Sequence, residues 1–228
     1  LRVFAPVLPA PFATRWSADW KALAQSLGAA RDWDVFRTTL LPDLAALLAP
    51  RSATRLTRWA ATQGRAAHAA ARTRLESREV TDHLLAFTQA VLKLPADTGA
   101  PLRLKPWARA RLQQRHRKLL RHLRHTDLQD AASRHQVRIE AKKLRYALDF
   151  LASLWPAERL KACTGALAQA QDLLGRLNDL ATAQALLATD APGDAGPLQA
   201  WLAQQEADAA ARLPEVLKSL KRAPAPWK

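Results

Sequence analysis

Helical periodicity fills most of this chain, and prolines separate one periodic stretch from the next. Apolar residues recur three and four positions apart, which is the spacing of one helix face, and no convincing alternating strand pattern occurs. The pattern therefore predicts an all-α fold. The predicted helices cover residues 12–30, 32–48, 52–93, 106–125, 131–155, 157–175, 177–189 and 197–221.

Two residues favour particular helix starts. Ser133 can cap the helix that carries residues 135–151, because a serine side chain accepts hydrogen bonds from the backbone amides of a first turn. Pro106 suits the first turn of the preceding helix, since no amide hydrogen is needed there.

An internal repeat relates the two halves of the chain. Shifted by 147 positions, residues 8–40 align without a gap with residues 155–187, and both segments contain Leu-Gly-x-x-x-Asp. We interpret the alignment as an internal pseudo-twofold repeat of two helical bundles, each with about four helices. The first repeat covers residues 1–98 and the second covers residues 102–228, and together they form one domain over 1–228. A chance alignment of Ala- and Leu-rich helices is the alternative interpretation.

The repeat also predicts a segment ahead of the sequence. A strongly basic stretch, RHQVRIEAKKLRY, precedes Leu148 in the second half, whereas nothing precedes Leu1 in the first half. We therefore expect a matching basic helix upstream of residue 1. The absence of Met agrees with a natural start further upstream.

Composition agrees with helices and adds a strong positive charge. The 228 residues are 49% hydrophobic with seven Gly and one Tyr, which supports a sizeable core and favours helix over strand. Lys and Arg number 35 against 20 acidic residues, a net charge of +15. A charge of this size points to an anionic partner, such as nucleic acid, polyphosphate, an anionic membrane or an acidic protein.

Cys163 is the single cysteine of the chain. No disulfide within the chain and no cysteine-based zinc site is therefore expected, which fits a cytoplasmic protein. No apolar run reaches the roughly 18 residues of a membrane span, and no signal peptide is visible.

Positive charge is concentrated in residues 51–78, with seven Arg and one acid, and in residues 103–145, with fourteen Lys or Arg and three acids. At about 100° per residue, both segments form stripes. One stripe, opposite the apolar face of its helix, contains His135, Arg138, Lys142 and Arg145. A second repeats every seven residues and contains Arg51, Arg58, Arg65 and Arg72. A third, expected opposite Leu112, Leu119 and Leu123, contains Arg111, Arg115, Lys118, His122 and His125.

Such stripes do not help a helix to fold, because like charges one turn apart repel. They do suit a linear polyanion, since the guanidinium fork matches phosphate oxygens and counterion release drives binding. The alternative is a solvated face in which codon bias favours Arg. Nucleic acid is the rival ligand, but the stripes contain few aromatic side chains for base stacking, and no helix-turn-helix or zinc-finger spacing is present. A module that binds an acidic protein is a third candidate.

Motifs for catalysis are missing from the sequence, which has no Gly-rich phosphate loop, G-x-S-x-G or H-E-x-x-H. The pairs Asp32 with Asp34, Asp172 with Asp179, and His122 with His125 are candidate metal ligands. We interpret the acids as ion-pair partners or helix caps, and the two histidines lack a further ligand. We therefore expect no catalytic residue, no metal and no cofactor.

Several segments resemble one family, the CHAD domain (conserved histidine α-helical domain). RHQVRIEAKKLRYALDFL at 134–151 looks like its signature, LGAARDWDV at 27–35 and LGRLNDLATA at 174–183 look like its paired second motifs, and LESRE at 75–79 is similar to its mid-domain segment. The resemblance covers essentially the whole chain. It implies two four-helix halves with pseudo-twofold symmetry.

The resemblance also implies a function, which is the binding of inorganic polyphosphate in a basic central groove between the halves. In some members it implies targeting to polyphosphate granules. CHAD domains often follow a CYTH (triphosphate tunnel) domain that hydrolyses triphosphates, and an accessory role to such an enzyme is an alternative. By position the implied contacts are His135, Arg138, Lys142, Lys143 and Arg145, with Arg31 and Arg78 from the other motifs. Asn178 replaces Arg31 at the repeat position, and the stripes add Arg58, Arg65, Arg72 and Arg115.

Overall fold

The structure is a computed structural model that describes residues 4–94, 103–125, 127–189, 191–193 and 196–227. Within those residues the regular structure consists of helices, and no strand occurs. The predicted all-α fold is therefore confirmed.

Long α-helices and short helical turns follow each other along the chain. The α-helices are α1 (Ala10–Ser26), α2 (Gly28–Val35), α3 (Leu41–Ala46), α4 (Pro50–Leu75), α5 (Arg78–Leu92), α6 (Leu104–His125), α7 (Ala131–Leu151), α8 (Ala157–Leu187) and α9 (Gly196–Arg222). A π-helical turn, Phe36–Leu40, joins α2 to α3, and 3-10 turns cover Ala5–Val7 and Ala152–Leu154.

Three of the predicted helix boundaries are wrong. The break predicted at residue 31 falls inside α2, and the chain instead breaks at Leu27, between α1 and α2. The helix predicted over 52–93 is broken into α4 and α5, because Ser77 takes an extended backbone conformation and accepts a hydrogen bond from the amide of Val80. The break predicted after Gly175 does not occur, and α8 runs through it. Buried leucines on both sides of Gly175 outweigh the roughly 1 kcal/mol by which glycine disfavours a helix.

The cap predicted for α7 is also wrong. Asp130, rather than Ser133, begins the helix and accepts hydrogen bonds from the amides of Ala132 (3.3 Å) and Ser133 (2.8 Å). Hydrogen bonds from the Ser133 side chain and from these amides lower the pKa of Asp130. Pro106 does lie in the first turn of α6, as predicted.

The chain divides into two compact units. Unit 1 comprises Leu1–Ala100 with Thr182–Gln199, and unit 2 comprises Pro101–Ala181 with Ala200–Lys228. In unit 1, α2 packs on α4, where the rings of Trp33 and Trp59 meet edge to face at 5.1 Å. Gly64 lets Arg37 cross α4 closely, since a Cβ at Gly64 would lie 3.0 Å from the Arg37 Cδ.

The core of unit 2 forms where α7 packs against α6. Leucines of both helices and of α8 and α9 are buried in it, namely Leu112, Leu119, Leu144, Leu148, Leu167, Leu177, Leu202 and Leu213. Cys163 of α8 is buried as well, and burial raises the pKa of its thiol to about 11. Apolar burial on this scale stabilises the unit, because each leucine contributes roughly 1.5–3 kcal/mol.

Arg134 anchors the start of α7 from inside unit 2. It is buried, and its guanidinium donates hydrogen bonds to the carbonyls of Leu128 and Gln129 and to the Glu206 carboxylate on α9. These contacts tie α7 to the preceding loop and to α9. The first arginine of the basic segment at 134–145 is therefore part of the architecture.

Trp227 anchors the C-terminal tail on α6. Only 2% of Trp227 is exposed, its Nε1 donates a hydrogen bond to Gln113 Oε1 (3.1 Å), and its ring meets His116 edge to face at 5.5 Å. The tail thereby covers one face of α6.

We predict that Trp227→Ala lowers the free energy of unfolding by about 3–5 kcal/mol, because the substitution leaves a cavity and an unpaired Gln113. Urea denaturation followed by circular dichroism measures this change. Arg222→Ala, at an exposed position at the end of α9, is the control and is expected to change stability little. Equal midpoints for the two variants would contradict the anchoring role.

Candidate functional site

The basic stripe of α7 lies along the border of its buried apolar face and not opposite that face, so the predicted placement is wrong. Arg138, Lys142 and Arg145 are half-buried, and His135 is exposed one turn before Arg138. The structure thus brings these four predicted residues together on one helix of unit 2. Because the apolar side of α7 is fixed in the core, the four basic side chains have little freedom to leave this line. We call them the α7 row.

Two amide side chains of α8 position the ends of the α7 row. His135 Nδ1 lies 3.2 Å from Asn178 Oδ1, and Arg145 Nη1 donates a hydrogen bond to Gln171 Oε1 at 3.0 Å. These pairs show that α7 and α8 run antiparallel. An amide is neutral, so it orients the cation without cancelling its charge. The row also meets an acid, since the Asp149 carboxylate lies 4.0 Å from Arg145 Nε.

Arg138 occupies the middle of the α7 row. Its Nε is buried and makes no hydrogen bond within the part of the chain that the structure describes. A buried donor without a partner is unfavourable by roughly 1–3 kcal/mol. An acceptor such as a phosphate oxygen at this position would remove that penalty.

Open space lies on α8 beside the middle of the α7 row. Gly175 shares a helix face with Gln171 and Asn178, and the register of the two hydrogen-bonded pairs places it opposite Arg138. A Cβ at Gly175 would meet nothing within 4 Å. A ligand group can therefore enter the space on α8 beside the α7 row. We call this space the Gly175 notch.

The other border of α7, toward α6, is different because it contains a carboxylate. Glu140 is only 3% exposed, and its Oε1 accepts hydrogen bonds from Lys143 Nζ (2.7 Å) and Lys118 Nζ (3.2 Å). Burial alone would raise the pKa of Glu140, but the hydrogen bonds and charges of the two lysines outweigh it, and the pKa is lowered. Lys143, an implied ligand contact, is thus partly neutralised by Glu140.

The sequence predicted that the α6 stripe lies opposite the buried leucines of its helix. This prediction is wrong, because the stripe lies beside the core. Arg111, Arg115 and His122 are half-buried, next to buried Leu112 and Leu119. Burial lowers the pKa of Arg111, and the charge of Arg115 lowers it further. The positive charges of Arg111 and Arg115 are therefore held near each other in unit 2, and a negative charge close to them would reduce their repulsion.

The remaining predicted contacts belong to unit 1. Three arginines are exposed on α4 away from buried Leu56 and Ala60, and these are Arg58, Arg65 and Arg72. Arg31 is exposed on α2, and the Arg78 side chain is 94% exposed at the start of α5 with its Nε 3.5 Å from Asp82. These side chains are exposed to solvent, and Arg65 donates a hydrogen bond to the exposed Thr62 hydroxyl at 3.0 Å.

Metal binding gains no support from the geometry of the described residues. No group of three or more His, Cys, Asp or Glu side chains there could hold a metal ion. Asp34, one of the candidate ligands, instead lies 2.7 Å from His68 Nε2. In the same part of the chain, no helix combines the length and apolarity needed to cross a membrane.

Three polar residues of this site were not predicted from the sequence. Asn178 and Gln171 orient the ends of the α7 row, and Glu140 holds two lysines. Glu140 left a signal, since it is the single acid between Ala131 and Arg145. Asn178 and Gln171 are harder to identify from the sequence, because only the packing of α8 on α7 shows that they contact His135 and Arg145.

We predict that Glu140→Gln lowers stability at neutral pH by roughly 1–3 kcal/mol, because the charged hydrogen bonds to Lys118 and Lys143 are lost. The lowered pKa means that Glu140 stabilises the protein above its ordinary pKa of 4.5 and that this stabilisation is lost as the pH falls through the lowered value. Urea midpoints of the two proteins should therefore differ most above pH 4.5 and should converge as the pH falls below it. A difference that stays constant as the pH falls below 4.5 would contradict the lowered pKa.

Comparisons with known proteins agree with this architecture. A family model of the CHAD domain matches residues 1–188. The crystal structure of the CHAD domain from the plant Ricinus communis is similar, with a TM-score of 0.77 and 28% sequence identity over 99% of this chain and 77% of that chain. A comparison with curated proteins finds no match. The family match covers far more than half of the sequence, and the chain belongs to the CHAD domain family.

Proposed function

We propose that this chain binds inorganic polyphosphate along the α7 row. The observation that carries the proposal is the state of Arg138, whose buried Nε lacks a hydrogen bond and which lies opposite the Gly175 notch. A phosphate oxygen satisfies this donor. Membership of the CHAD family supports the proposal, because polyphosphate binding is the function that the resemblance implies.

The chemistry of the row suits a phosphate chain. Side chains three and four residues apart on a helix lie about 5–6 Å from one another, so His135, Arg138, Lys142 and Arg145 present charges at regular intervals. A polyphosphate carries about one negative charge per unit and can follow such a line. The arginines offer several N–H donors to each phosphate, and Lys142 adds a compact charge.

Preorganisation distinguishes this row from the exposed arginines of unit 1. Gln171 and Asn178 hold Arg145 and His135 in place before any ligand arrives, so less side-chain entropy is lost on binding. Arg31, Arg58, Arg65, Arg72 and Arg78 are exposed, so we expect them to contribute mainly to the long-range attraction of a polyanion. We therefore expect the α7 row, with Arg115 on α6, to dominate the affinity.

The same surface offers little for catalysis. Glu140, the buried carboxylate on the other border of α7, already accepts hydrogen bonds from two lysines and is not positioned to hold a magnesium ion. In our proposal the domain is a scaffold or a module that brings a protein to polyphosphate granules in the cytoplasm. Hydrolysis of tripolyphosphate by the purified chain with magnesium would contradict this non-enzymatic role.

One observation favours single-stranded nucleic acid as a second candidate ligand. Tyr146 and Phe150 are both more than half exposed on α7, next to the basic row. Exposed aromatic rings beside cations are a feature of single-strand binders, in which the rings stack on bases. Polyphosphate has no bases, so Tyr146→Ala with Phe150→Ala should leave polyphosphate affinity within about twofold and weaken DNA binding.

We predict that Arg138→Ala with Arg145→Ala weakens the binding of long-chain polyphosphate by at least about a hundredfold, because each charged contact contributes at least about 1.5 kcal/mol. Calorimetric titration at several salt concentrations measures this. The plot of log K against log salt has a negative slope, and the magnitude of that slope should decrease by roughly 1.4 because two phosphate contacts are lost.

The control for that experiment removes the same charge elsewhere. Arg212→Ala with Arg222→Ala changes two exposed arginines of α9 and should reduce affinity by no more than about threefold. A similar loss in both double variants would mean that only net charge matters. DNA of matched charge, titrated at the same salt, separates the two candidate ligands.

We predict that Gly175→Gln fills the Gly175 notch and weakens polyphosphate binding by about tenfold or more. Gly165→Gln is its matched control, because a Cβ at Gly165 in the same helix also meets nothing within 4 Å. Both substitutions should leave folding intact or stabilise it, since glycine is a poor helix former. Equal polyphosphate affinities of the two variants would place the ligand away from the notch.

A further inference from the structure

A second basic cleft lies on a different face of α6 from the α7 row. It has a volume of about 1050 Å³ and is formed by α6, the start of α8 and the C-terminal tail, all within unit 2. Five cationic side chains line it, and these are Arg103, Lys105, Arg109, Arg117 and Arg159. No acidic residue of the described chain lines it.

The geometry of α6 separates this cleft from the α7 row. Around the helix, Arg109 and Arg117 are turned by more than about 100° from Arg111 and Arg115, which border the α7 side. Gln113, between them, faces the cleft and is held by Trp227. A ligand bound in the cleft therefore does not occupy the α7 row.

The floor of the cleft is rigid and apolar. Trp155 is 8% exposed and Trp227 is 2% exposed, and the hydrogen bond to Gln113 together with the contact to His116 fixes Trp227. An apolar floor excludes water and strengthens the attraction between the rim cations and an anion. The two rings are too deeply buried to stack on a base, so the floor favours a ligand recognised by its charge.

Four of the five cations of the cleft have a charge that no acid of the described residues balances. Arg103, Lys105, Arg109 and Arg117 are exposed, and no ion pair with an acid is formed by any of them. Cations gathered without acids repel one another and do not stabilise a fold. A compact ligand with several negative charges would balance them.

We propose that this cleft is a second anion site, which takes a compact oligophosphate of about three phosphate groups. Its volume is at the upper end of the roughly 300–1,000 Å³ that small-molecule sites occupy, so it suits a discrete ligand and not the length of a polymer. The ligand is either a free oligophosphate or the triphosphate group of a nucleotide. The site is independent of the α7 row and of the polyphosphate proposed to bind there.

Tripolyphosphate tests the site through the intrinsic tryptophan fluorescence and by calorimetry, because two of the lining residues are tryptophans. Arg109→Ala with Arg117→Ala should weaken its binding by at least about tenfold. Arg121→Ala with Arg124→Ala, which removes two exposed charges of the same helix outside the cleft, is the matched control and should change it by no more than about threefold. Unchanged urea midpoints show that the variants are folded.

The α7 row is tested separately in the same series. Arg138→Ala with Arg145→Ala should retain tripolyphosphate binding in the cleft, whatever it does to long polyphosphate. Three outcomes would each overturn the proposal. The first is loss of tripolyphosphate binding in this variant, and the second is an equal loss in the double variant at Arg109 and Arg117 and in its control at Arg121 and Arg124. The third is that the wild-type chain does not bind tripolyphosphate. ATP titrated in parallel identifies the source, since a tighter ATP complex indicates a nucleotide and a tighter tripolyphosphate complex indicates free oligophosphate.

Discussion

Burial of the apolar face of α7 constrains every charged group around it. Val137, Ala141, Leu144 and Leu148 are almost fully buried, so α7 cannot rotate without exposing them. Side chains on the two borders of this face are consequently held at fixed positions beside α6 and α8. The basic residues of the helix occupy these borders, and their surroundings decide which of them keep an unbalanced charge.

The basic side chains on the two borders of α7 have different partners. Toward α6, the Glu140 carboxylate pairs with two lysines and is itself stabilised as the anion. Toward α8, the amides of Gln171 and Asn178 orient Arg145 and His135 but carry no charge. One border therefore stabilises the packing of two helices, and at the other border two neutral amides orient basic side chains without adding negative charge.

Much of the helical architecture follows from local sequence patterns, and the details of the site do not. The period of α7 is sufficient to place His135, Arg138 and Arg145 on one side, because a helix fixes its own angles. The continuity of α8 through Gly175 depends on tertiary burial, which local preference does not contain. The basic cleft was not predicted, since it requires Trp227 to contact Gln113, a residue more than a hundred positions earlier.

The surroundings of Cys163 have a consequence for how the protein responds to its chemical environment. With its thiol buried and its pKa raised to about 11, almost no thiolate is present near neutral pH. Thiolates, and not thiols, react with oxidants and with electrophiles. Cys163 is therefore expected to react little with oxidants or electrophiles while unit 2 is folded.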